Sequence, residues 1–134
     1  MEIHVNHQLT IGEFKNRFAA EFPLLRLSIC KLPWQTLLLS LVLEIAEREW
    51  LCDYQKERNP FTFNIRATDK VADFEQAFRG RFALELHVTR QSGNNWITTT
   101  STDNYTIEQQ NALGVKVLGK PMLLNQLQFT NRSI

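Results

Sequence analysis

Apolar residues recur along this chain with two periods, and the order of the periods repeats. Ile3 and Val5 alternate with polar residues, as on a half-buried strand. Ile11, Phe14, Phe18 and Phe22 follow at steps of three and four, which places them on one stripe of a helix. Alternation returns in Leu25, Leu27 and Ile29. Further on, Phe61, Phe63 and Ile65 alternate, Val71, Phe74, Phe78 and Phe82 take the helical spacing, and Leu84, Leu86 and Val88 alternate again. TIGEFKNRFAAEF at 10–22 thus lies in register with KVADFEQAFRGRF at 70–82. The pattern predicts an internal repeat of strand–helix–strand units over 2–30 and 61–90, within a single domain spanning 1–134. The phenylalanine stripes read as core rather than as an aromatic ligand pocket.

The helix starts carry chemical marks. Thr10 and Glu13 have the spacing of a capping box, and Thr106 with Gln109 has it again before a short helix ended by Gly114. Asp69 is the expected cap of the second long helix, with Asp73 in its first turn, and Pro23 closes the first. Ser92–Gly93–Asn94–Asn95 reads as a hairpin turn into a β-prone run, Trp96–Thr102, so a hairpin strand and short helix occupy 96–114. A tail, 115–134, begins with strand-like Val115–Leu118.

Between the units lies a connector at 34–58, read as a helix from about 36 to 57, although Leu37–Leu43 also fits a strand. Glu44 and Arg48 would form a helical ion pair within it. Its first part is apolar on nearly every side. Such a segment completes the monomer core or is covered by a second copy, and the second reading gives a homodimer through Trp34, Leu38, Leu41 and Trp50. The whole reads as an α+β fold in which helices cover one face of a mixed sheet of about five strands, related to the ferredoxin-like arrangement.

NNWITTTSTDNYTIEQQNALG resembles the end of a small group of uncharacterised bacterial proteins. They share W-x-x-T-x-x-T-D-x-[WY]-T-[IL]-E-x-Q-N-x-x-G after a strand–helix–strand unit. Trp96, Thr99, Thr102, Asp103, Tyr105, Thr106, Glu108, Gln110, Asn111 and Gly114 fit that pattern. The resemblance covers about two thirds of the chain, and departs from the group at LLLSLVLEIA, where the others are polar and lysine-rich. It implies a fold and a bacterial source, and brings no activity.

Composition narrows the function further. A formal charge of +1, with 22% charged residues and no long like-charge block, lacks the basic excess usual for nucleic-acid binders. Arg66, Arg79, Arg81 and Arg90 could still form a basic edge for RNA or phosphate, and Thr98, Thr100 and Asp103 belong to a polar edge. That polar cluster reads equally as cap-and-turn chemistry. Cys30 and Cys52 match no metal spacing and read as buried thiols of a reducing compartment. His4, His7 and His87 read as solvent-facing, with no partner set for a metal or a nucleophile. No phosphate-cradling loop appears, so no catalytic residue or cofactor is assigned. MEIHVNHQ has no signal-peptide character and no run is long enough to span a bilayer, so the expected location is cytoplasmic, away from membranes. These readings favour a small non-enzymatic protein-interaction or self-associating module, with nucleic-acid or phosphate binding as the alternative.

Overall fold

The structure is a computed structural model that describes residues 1–31 and 44–115. Its elements are β1 (Glu2–Val5), α1 (Ile11–Glu21), β2 (Leu25–Cys30), a 3-10 turn at Leu51–Tyr54, β3 (Phe61–Asn64), α2 (Val71–Arg81), β4 (Glu85–Ser92), β5 (Asn95–Thr98), a 3-10 turn at Thr100–Thr102 and α3 (Ile107–Leu113). The α+β class is therefore as the pattern predicts, and β1 to β4 and the long helices lie within a residue or two of it. The sheet differs. In place of one mixed sheet, the five strands form two antiparallel sheets, β1–β3 and β2–β4–β5. The reason lies in the pairing: β1 bonds to β3 and β2 to β4, with β5 added on β4, and neither β1 with β2 nor β3 with β4 is paired.

Ile3 faces Phe63, sixty positions away, at the centre of β1–β3. Ser28 faces His87, fifty-nine positions away, at the centre of β2–β4. The helices follow the same rule, with Phe14 meeting Phe78 at 5.6 Å and Phe18 stacking on Phe74 at 5.4 Å between ring centroids. Phe63 sits among Phe14, Phe74, Phe78 and Phe82, all within 6.1–6.4 Å. Both stripes, the inward residues of four strands, Leu51 and Ile107 form one buried cluster.

The helix N-termini are satisfied in matching ways. In α1 the Thr10–Glu13 capping box is present, and the Ile11 and Gly12 amides donate to Glu49 and Glu47 carbonyls. In α2 the Val71 and Ala72 amides donate to Tyr105 and Asp103 carbonyls. Bridges Thr10–Trp50 and Lys70–Thr106 flank these contacts, and Leu51 and Ile107 donate back to the carbonyls of Leu9 and Asp69. The orphan amides of each long helix are thus closed by backbone from a returning loop. Asp69 is not the cap expected of it: the N-cap is Lys70, and the Asp69 carboxylate accepts the Arg66 amide.

The connector is the main departure. Residues 44–57 contain no α-helix: Glu44 bridges to Cys30, the chain turns, and only the short 3-10 turn follows. Glu44 pairs with Lys15 at 2.7 Å rather than with Arg48. The charged sequence here serves to bring carbonyls to α1, which a helix could not do because its own ladder would consume them. The part of the helix reading at 36–43 lies outside the described residues. In the C-terminal part, Gly93 supplies the positive φ of 62° at the first of two hairpin loop positions, the place a type II′ turn requires it. The β-prone run stops at Thr98 because the buried Thr99 hydroxyl donates to the Val88 carbonyl and turns the chain. Gly114 ends α3 with ordinary φ; a Cβ there would lie 2.5 Å from Leu24 Cβ.

Candidate functional site

Antiparallel pairing alternates between bonded and non-bonded residue pairs. Met1 and Ile65 exchange both backbone bonds, so the bonded pairs of the ribbon are Ile3–Phe63 and Val5–Phe61. The backbone groups of Thr62 and Asn64 therefore point away from β1, along an outer edge. Beside that edge runs α2. A hollow of about 190 Å³ is lined by Phe61, Thr62, Phe63, Asn64, Ala77 and Arg81. One of about 200 Å³ joins Phe63, Asn64 and Ala77 to Asp69 and Asp73. One of about 360 Å³ extends from Phe61, Gly80 and Arg81 to Gln55, Lys56 and Glu57. Shared lining residues connect the three into a groove between a strand edge and a helix. Four strand residues span about 13 Å, and Asp73 to Arg81 on α2 spans about 12 Å, so the two walls match in length.

The groove is electrically polar along its axis. At the Phe61 end the Arg81 guanidinium lies 4.2 Å over the Phe61 ring, with Lys56 nearby and Glu57 partly offsetting it. At the Asn64 end stand Asp69 and Asp73. No ion pair holds Arg81, Lys56 or Asp73 among the described residues.

Three arginines of the expected edge have different neighbours. Arg79 approaches Glu85 at 3.7 Å, Arg81 covers Phe61, and Arg90 donates to Gln110 Oε1 at 2.6 Å. Fully buried Gln110 in turn donates to the Thr102 carbonyl and hydroxyl. Asp103 offers its carbonyl to Ala72. Thr98 on β5 pairs with Thr89 on β4, and Thr100 lies exposed in the 3-10 turn. The polar cluster at 98–111 is thus mostly cap-and-turn chemistry. Trp50 is 44% exposed beside the α1 cap; Trp34, Leu38 and Leu41 lie outside the described residues.

A second hollow, about 500 Å³, is lined by Lys15, Arg26, Leu27, Glu44 and Glu47 among others. Its cation is already used, since Lys15 Nζ lies 2.7 Å from Glu44 and 3.6 Å from Glu47. Sixty positions on, the residue matching Lys15 is Glu75. It is buried, accepts the Val88 amide at 2.9 Å, and feels the negative charges of Asp103 and Glu85. Burial chiefly pushes its carboxyl up to about 7, against the Val88 amide and Arg79, which pull it down. The sequence carried a sign of it: Glu75 lies four residues after Val71 and three before Phe78, on the flank of the apolar stripe.

The histidines differ from expectation in one case. His4 and His7 are exposed, His4 bonding to the Thr62 hydroxyl at 2.9 Å. His87 is half-buried, and desolvation lowers its pKa, because its face of β4 is shared with buried Ser28. Cys30 is buried and Cys52 half-buried. Tyr54 donates to the Glu49 carboxylate; this bond, followed by burial, pushes its hydroxyl up to about 12. Among the described residues no His, Cys, Asp and Glu are grouped to hold a metal ion, and no helix is long and apolar enough to cross a membrane. Comparison with protein-family models, curated proteins and solved structures found no match.

Proposed function

We propose that this protein is a small protein-interaction module that takes an extended segment of its partner along β3, in the groove against α2. The observation that carries the reading is the open strand edge walled by a helix over a matching length. Outward backbone donors and acceptors at Thr62 and Asn64 supply sequence-independent bonding, and the groove supplies selectivity. Isolated edges are hazards for soluble proteins unless covered or short; β3 is short, and its helix wall narrows what can reach it. Nucleic-acid binding through an arginine edge is disfavoured because Arg79, Arg81 and Arg90 have different neighbours. The test is selection of phage-displayed eight-residue segments against the protein. Enriched segments should lose binding to Ala77→Trp, which fills the groove from an exposed helix position. Enrichment insensitive to that variant would sink the proposal.

We propose further that the chain is a duplicated unit related by an approximate two-fold axis. The central pairs Ile3–Phe63 and Ser28–His87 support this, as do the matched helix caps of residues 9–12 and 69–72. Position 15 against 75 is then a place where the halves have diverged, one keeping a cation and the other a carboxyl.

A further inference from the structure

Resting on the proposed groove, we infer the chemistry of its occupant: a lone extended peptide, antiparallel to β3, basic at its N-terminal end and acidic at its C-terminal end. Antiparallel ladders are the slightly stronger ones. In that direction the peptide starts near Asn64, beside Asp69 and Asp73. It finishes near Phe61, beside Arg81 and Lys56. The free chain termini have the same polarity, so a terminal amine or carboxylate adds to the match. Between the ends, Phe63 and Ala77 add apolar surface to a shallow stretch shared with Thr62 and Asn64. This suits small β-branched side chains on the inward-facing positions of a strand.

The length of the walls admits about four paired residues. A second copy of the chain is a poorer occupant. Its own β3 would arrive with its own α2 alongside, and two helix walls would compete for one space. A lone segment brings no wall. The other large hollow lacks such an argument, because Lys15 there is neutralised by Glu44 and Glu47.

The probes are two fluorescein-labelled peptides, blocked at both ends: KTVTVE and its charge-reversed form ETVTVK. Anisotropy titrations at low salt should give KTVTVE the tighter binding by about five- to tenfold, since reversal exchanges attraction for repulsion at both exposed ends. The preference should shrink as salt is raised and in Arg81→Glu. Ala77→Trp should weaken KTVTVE at least about tenfold while its thermal melt stays that of the parent. Equal binding of the two peptides, or binding of neither, would overturn the inference. So would a dimer at micromolar concentration that Ala77→Trp dissociates, since a second copy would then be the occupant. Library segments that need the groove but carry the opposite charge order would overturn this inference alone and leave the proposed function standing.

Discussion

Lys15 and Glu75, sixty positions apart in the sequence pattern, meet different surroundings. Lys15 lies beside the carboxylates of Glu44 and Glu47, whereas Glu75 feels Asp103 and Glu85 from a buried position and gains from holding its proton. Its folded pKa of about 7 stands above the ordinary 4.5. The contribution of the neutral form is therefore fully present below about pH 4.5 and is lost as pH rises through about 7. Glu75→Gln should leave the melting temperature near that of the parent at pH 4.5 and raise stability by on the order of 2 kcal/mol at pH 8. Equal melts of parent and variant at pH 8 would contradict the assignment. Glycines give a second contrast. A Cβ on Gly80 meets nothing within 4 Å, so Gly80→Ala should gain about 0.5–1 kcal/mol from helix propensity. On Gly12 it would lie 2.9 Å from Glu47 Cβ, so Gly12→Ala should lose stability despite the same propensity gain; urea titration of both variants checks the opposite signs. At this scale the sequence was legible wherever residues speak to near neighbours, as in the Thr10 and Thr106 boxes. Glu75 and Gln110 escaped because their partners lie 13 and 20 residues away, on β4.

The elements follow from periodicity where one face is buried, and both long helices and β1 to β4 were visible in that way; β5 was signalled by its turn and β-prone residues. Residues 44–57 were not, because charged side chains at helical spacing resemble a solvated helix while the backbone is engaged elsewhere. Glu47 and Glu49 give their carbonyls to α1, and no local pattern announces a carbonyl's long-range partner. Thr99 likewise stops a β-prone run through one side-chain bond to Val88. Phe63 is where the elements converge, one ribbon residue against four rings from both helices and the α2 C-cap. Phe63→Ala should cost about 3–5 kcal/mol, as removal of a large core ring does, measured by chemical denaturation. A loss under about 1 kcal/mol would mean that the rings hold together without it.

For the whole molecule, the strand–helix–strand pattern at 2–30 and 61–90 was readable in sequence, but the way the strands pair was not. Strand–helix–strand units can pair internally or with each other, and hydrophobic alternation is the same in both cases. Pairing between halves splits the strands into a ribbon and a three-stranded sheet, and the split is what leaves β3 with an outer edge beside α2. The groove itself is lined by residues of 61–81, with 55–57 closing one end. Arg81 was singled out for its charge; its partnership with Phe61 and β3 came only with the fold. The most direct test is residue-resolved amide hydrogen exchange with a library-selected segment bound. The account predicts that the outward amides of Thr62 and Asn64 slow markedly, while those of the β5 edge at Trp96 and Thr98 keep their free-state rates. Protection at β5 with Thr62 and Asn64 unchanged would contradict it.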